Sequence, residues 1–98
     1  MEKQPGKTVH EVLEQKFTVN NKLGLHARPA ALLVQLANRF QSEITLQKGK
    51  QKINGKSIMG VMMLAAGVGS TVTVRIVGID ARKAMIAIAK LFHDNFQE

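Results

Sequence analysis

Hydrophobic positions change period several times along this chain. Phe17 and Val19 alternate with Lys16, Thr18 and Asn20, the period of a half-buried strand. Leu33, Leu36, Ala37 and Phe40 then recur at i, i+3, i+4, i+7, with Leu32 beside them, which predicts an amphipathic helix. Ile44 and Leu46 alternate again, Gly49 in Lys48-Gly49-Lys50 marks a hairpin, and Lys52-Ile53 begins the return strand. The apolar run from Ser57 to Ala66 reads as a short helix with Ser57 as N-cap, Gly67 as C′ residue and Val61, Leu64 and Ala65 as its buried face. From Thr71 to Val77 the alternation is strict: Val72, Val74 and Ile76 face one way, Thr71, Thr73 and Arg75 the other. Asp80 is placed to cap a last helix with apolar face Ala84, Met85, Ile88, Leu91 and Phe92.

The element order is therefore βαββαβα. Strands with one polar face belong to an antiparallel sheet that meets water on one side, and helices must cover the other. The expected fold is α+β: an open-faced two-layer sandwich, a four-stranded antiparallel sheet with three helices on one face. Residues 1–15 read as a flexible N-terminal extension, punctuated by Pro5-Gly6, although Val9, Val12 and Leu13 offer one apolar turn of helix. The domain is expected to occupy residues 16–98.

Ninety-eight residues suit one modest core. Cysteine is absent, which excludes disulfides and thiolate metal sites. The N-terminus lacks the apolar stretch of a signal peptide, and no run of about 18 apolar residues is present to span a membrane. The chain is expected to be cytoplasmic, monomeric and away from membranes. No two histidines have metal-ligand spacing, so neither a metal nor another cofactor is expected. The formal charge of +7, with Lys48, Lys50, Lys52 and Lys56 close together, raises nucleic-acid binding as a rival function. Against it, the chain has no Trp or Tyr and only four Phe, all at positions that read as core, so rings for stacking on bases are missing. The excess charge reads instead as a field that draws acidic partners, with no direct nucleic-acid contact.

Candidate chemistry concentrates in Gly24-Leu25-His26-Ala27-Arg28-Pro29-Ala30. Pro29 lacks an N–H and has a fixed φ, which suits the first turn of a helix and sets its start near Ala27. His26 then falls at the N-cap, where the free N–H groups of Ala27 and Arg28 make a site for an anion. Arg28 adds a guanidinium fork that matches phosphate oxygens. A helix start disfavours a cation by about 0.3–1 kcal/mol, and Arg28 acts in the same direction. The ring is thus expected to be neutral and nucleophilic. Once it carries a phosphoryl group, the same field holds the negative charge. His10 in the tail and His93 on the last helix lack such company and read as surface residues.

The second helix is apolar on too many sides for an ordinary surface helix. Ile58, Met59 and Met62 point away from the face of Val61 and Leu64, and the pattern fits either complete burial or an exposed docking patch. Gly60 inside so short a helix costs about 1 kcal/mol relative to Ala, a sign of close packing or mobility. A phosphate on Ser57 would be tolerated at a helix start and would set about −1.5 to −2 charge beside Ile58 and Met59. Lys56 beside it is a candidate contact for a kinase or a carboxylate partner.

Leu23-Gly24-Leu25-His26-Ala27-Arg28-Pro29-Ala30 and Lys56-Ser57-Ile58-Met59-Gly60-Val61-Met62 together closely resemble the HPr family, the histidine-containing phosphocarriers of the bacterial phosphoenolpyruvate:sugar phosphotransferase system. The resemblance covers about residues 16–96. It implies that His26 accepts phosphate on Nδ1 from enzyme I and passes it to enzyme IIA domains, with Arg28 assisting. It also implies that Ser57 is the regulatory serine of HPr kinase/phosphorylase, and that Ala27, Ala31, Ile58, Met59 and Met62 belong to the exposed partner-docking surface. A catabolite-control transcription regulator is a further implied partner. A related regulatory paralogue lacks the histidine; this chain has it, which implies competence for transfer. The alternative function is a regulatory phosphoprotein in carbon or nitrogen control, acting mainly by binding partners. The chain departs from the family pattern in its extra tail, in Met63 where a small polar residue is common, and in Arg82, Lys83 and Lys90 on a last helix that is often acidic.

Overall fold

The computed structural model describes residues 11–98. Strand β1 (Glu11–Thr18), helix α1 (Ala27–Ala37), strands β2 (Glu43–Lys48) and β3 (Gln51–Asn54), helix α2 (Ile58–Met63), strand β4 (Thr71–Gly78) and helix α3 (Ala81–His93) follow in the predicted order, and a 3-10 turn, Asn95–Gln97, comes after them. The sheet is antiparallel throughout, in the order β1-β4-β2-β3. The last strand in sequence is therefore central, with neighbours on both edges. That position explains its strict alternation: Val72, Val74 and Ile76 are fully buried, while Thr71 and Arg75 face solvent.

The inner face of the sheet, carried by Phe17, Ile44, Leu46, Val72, Val74 and Ile76, forms one core with Ala30, Leu33 and Ala37 of α1 and Ala84, Met85, Ile88, Leu91 and Phe92 of α3. Phe17 stacks on Phe92 with ring centroids 4.5 Å apart, and Phe96 meets Phe92 edge-on at 4.8 Å. The turn of the β2–β3 hairpin carries Gly49 at φ +60°, a backbone that suits glycine.

Several boundaries differ from the sequence reading. β1 begins at Glu11, so residues 11–15 lie in the sheet and not in an extension ending at residue 15. They pair in register with β4, from Glu11 opposite Gly78 to Gln15 opposite Val74. The charged run there lies on the wet face and edge of a sheet, where polarity carries no penalty, and only Leu13 packs against the core. The helical turn considered for Val12 and Leu13 does not form. Residues 1–10, and the expectation of a flexible tail there, lie outside the described residues. Helix α2 stops at Met63, and the residue in left-handed conformation after it is Ala65 at φ +51°, not Gly67. Lys48 donates to the Ala65 carbonyl at 3.0 Å, which holds this unfavourable turn from outside the helix. Ala65 itself is exposed, and Ala66 is buried in its place. Phe40 is half-buried, since α1 ends before it. Asp80 precedes α3 but does not cap it with its side chain. Its carboxylate instead accepts from the backbone N–H groups of Gln41 and Ser42, both at 2.9 Å, and from the Ser42 hydroxyl.

Candidate functional site

The approach to α1 is fixed by close packing. Gly24 has φ +69°, and a Cβ there would stand 2.5 Å from the Ala66 carbonyl oxygen and 2.7 Å from Gly67 Cα. Only glycine lets the two loops come so near. Leu25 next to it is buried, and its N–H donates to the Ala66 carbonyl at 2.8 Å. This anchor delivers His26 to the N-cap of α1 in an extended conformation, with no side-chain capping bond. The first bond of the helix runs from the Ala30 N–H to the His26 carbonyl at 2.9 Å. The N–H groups of Ala27 and Arg28 precede that ladder, Pro29 has none, and Arg28 is exposed beside them. Predicted start, cap and exposed arginine thus coincide in one place.

Two residues that sequence reasoning missed complete the surroundings of His26. After α3, Asn95, Phe96 and Gln97 all take positive φ, at 51°, 56° and 64°. Phe96 is fully buried against Phe92, and its burial turns the chain back toward α1. The Asn21 side-chain amide donates to the Asn95 carbonyl at 2.8 Å and to Glu98 Oε1 at 2.9 Å. Glu98 Oε2 then lies 3.1 Å from His26 Nε2, with the two side chains 25% and 35% exposed. The hydrogen bond from Asn21 is the main reason that the Glu98 carboxyl sits below the usual carboxylate range. The hydrogen bond with His26 and the charge of Arg28 add to it, and partial desolvation works against it. The sequence reading surrounded the ring with positive groups alone; the fold adds a carboxylate. No periodicity announces that contact, because 72 positions separate its partners.

Ser57 stands at a second helix start, as predicted. Its hydroxyl accepts the Gly60 N–H at 3.1 Å and closes the N-terminus of α2. Gly60 packs closely, since a Cβ there would lie 3.3 Å from Ile53 Cβ, a tight contact. Val61 and Leu64 are fully buried, whereas Ile58, Met59 and Met62 are 39%, 66% and 44% exposed. The apolar patch is therefore on the surface. Met63 is exposed with it, Ala27 is exposed, and Ala31 is half-buried on α1. Lys56 is less free than expected, because its amine donates to the Phe40 carbonyl. Arg82 is likewise engaged, 2.6 Å from Glu11 of β1. Among the described residues, no hydrogen bond joins His26 or Arg28 to Ser57, and no cluster of three or more His, Cys, Asp or Glu has the spacing of a metal site. His93 is exposed at the end of α3, with its ring edge toward Phe17, and among the described residues no helix is long and apolar enough to cross a membrane.

The family model described as PTS HPr component phosphorylation site matches residues 13–94. The phosphocarrier protein HPr of Xylella fastidiosa (strain Temecula1 / ATCC 700964) is 52% identical over 87 residues, covering 89% of this chain and 98% of the relative. The HPr-like protein Crh of Halalkalibacterium halodurans is 53% identical over 77 residues, covering 79% and 92%. Among solved structures, HPr-C-His from Thermoanaerobacter tengcongensis superposes with a TM-score of 0.85 at 43% identity, covering 88% of this chain and 97% of that one. Its fold is the same open-faced sandwich.

Proposed function

The chain belongs to the HPr family of phosphocarriers, and we propose that it accepts a phosphoryl group on His26 Nδ1 from enzyme I and passes it to enzyme IIA domains. The observation that carries this reading is the open start of α1: a half-buried histidine at an N-cap that its own side chain leaves unclosed. In the forward step the Nδ1 lone pair forms the N–P bond while the donor's bond to phosphorus breaks and its electron pair leaves with the donor. The new phosphate oxygens face the N–H groups of Ala27 and Arg28 and the Arg28 guanidinium. In the second step the N–P bond breaks, and its electron pair returns to Nδ1 as the acceptor takes the phosphoryl group. The protein carries the group and is not itself a catalyst of a net reaction.

Ala27, Ala31, Ile58, Met59 and Met62 are read as the surface that partners cover. Exposed methionines suit this work because their flexible side chains adapt to differing shapes. Ser57 is read as a regulatory site for HPr kinase/phosphorylase. A phosphate there would displace the Gly60 cap and set two negative charges beside the apolar patch, repelling an acidic partner and favouring a different one, such as a catabolite-control regulator. Incubation with phosphoenolpyruvate and enzyme I should add one acid-labile phosphate to the chain and none to His26→Ala. A His26→Ala variant that still took up phosphate would overturn the assignment. Ser57→Asp should slow uptake without abolishing it.

The likeness to an HPr-like protein Crh favours one second reading, a regulatory phosphoprotein that acts by binding. It is separated from the first by the same experiment: that reading needs phosphate on Ser57 and not on His26.

A further inference from the structure

We infer that Asn21 is a positioning residue for His26: through Glu98 it holds the proton on Nε2 and so reserves the lone pair for Nδ1. The inference rests on the carrier reading, which makes Nδ1 the attacking atom. Glu98 is ionised and accepts only, so the ring nitrogen 3.1 Å from its Oε2 must carry a hydrogen. In a neutral imidazole that leaves Nδ1 unprotonated and free to attack. The carboxylate is not left to find this position by itself. Asn21 is 4% exposed and uses both amide hydrogens, one on the Asn95 carbonyl at 2.8 Å and one on Glu98 Oε1 at 2.9 Å. Its own Oδ1 is buried without a partner. An amide turned the other way would set oxygen against two acceptors, so the orientation is fixed by the network. A buried orphan acceptor calls for an explanation, and the aim of Glu98 supplies one.

The contact serves both halves of the transfer. As Nδ1 forms its bond to phosphorus, the donor's electron pair leaves with the donor, Nε2 keeps its hydrogen, and the ring becomes positive. The carboxylate then faces that charge, as an orienting carboxylate does behind a reacting histidine. Arg28 contributes to the same field at Glu98 without touching it through a hydrogen bond.

The test uses the full chain with uniformly 15N-labelled histidine, in two variants, Asn21→Asp and Glu98→Ala. The first keeps the shape and removes the donors; the second removes only a surface carboxylate, so it remains informative if the first fails to fold. Two quantities are read: the 15N shifts of the neutral His26 ring, and the rate of phosphate uptake from phosphorylated enzyme I. Both variants should move the ring toward a mixture of tautomers and slow uptake by roughly three- to tenfold, the scale of one lost hydrogen bond. Wild-type values of both quantities in both variants would overturn the inference. So would slower uptake with unchanged ring shifts, which is a docking effect, or altered shifts with unchanged uptake. If the wild-type chain takes up no phosphate, the carrier reading fails, while the ring shifts still report whether Asn21 and Glu98 fix the proton.

Discussion

At the start of α2 the Ser57 hydroxyl accepts the Gly60 N–H at 3.1 Å; at the start of α1 His26 holds the same cap position and its side chain makes no such bond. Both helices follow an extended residue, and both lack acidic residues in the first turn. The difference lies in what occupies the free donors. Ser57 occupies one itself, which stabilises a helix of six residues too short to persist alone. His26 turns its ring toward Glu98 and leaves the N–H groups of Ala27 and Arg28 outside the backbone ladder. A closed cap serves stability, and an open one keeps donors for an anion. The start of α3 offers a third arrangement, in which the Asp80 carboxylate turns away from its own helix to hold Gln41 and Ser42.

The largest expected effect tests the division of labour between the two starts. His26→Ala should lose phosphate uptake completely with little change in stability, because no capping bond is removed; Ser57→Ala should retain uptake. Equal losses in both variants, measured as acid-labile phosphate, would erase the contrast. Next in size is Gly24→Ala, which places a methyl group against Ala66 and Gly67 in a left-handed backbone. It should cost about 2–4 kcal/mol in urea unfolding and should lower uptake as well, since this approach sets His26.

Asp80→Ala should cost about 1–3 kcal/mol at neutral pH by removing hydrogen bonds to a charged acceptor. The pH dependence follows from the hydrogen bonds of Ser42 and Gln41, which lower the Asp80 value in the folded state. The stability it contributes is complete above the unfolded value of about 3.9 and is lost as pH falls through the lower folded value. The variant and the parent should therefore converge in acid unfolding curves. The smallest effect is Ser57→Ala itself, at about 0.5–2 kcal/mol for one lost N-cap. A destabilisation at Ser57 as large as that at Gly24 would mean that α2 is more than a locally capped turn.

Much of the site was legible because its signals are local. Pro29 marks the first turn of α1 whatever surrounds it, and Gly24, His26 and Arg28 keep fixed places relative to that mark. Ser57 is recognised as a cap for the same reason. The exposure of Met59 and Met62 was open from pattern alone, because an apolar run without a polar side fits a buried helix equally well. Glu11 to Gln15 read as a tail because their polarity is that of a strand with a wet face and an exposed edge. Ala65 in place of Gly67 after α2 was not legible either, since the Lys48 amine that holds Ala65 comes from β2.

The sequence by itself determined the order of elements, the inward residues of β2, β4 and α3, and the histidine at a helix start. Each of these depends on spacing within about one helical turn or one strand, where backbone geometry alone links neighbours. Only the tertiary structure decided that His26 faces a carboxylate. That contact requires Phe96 to be buried against Phe92, the chain to turn through three residues of positive φ, and Asn21 to bind the returning segment. Its cause is packing between distant parts of the chain, which leaves no period in the sequence to read.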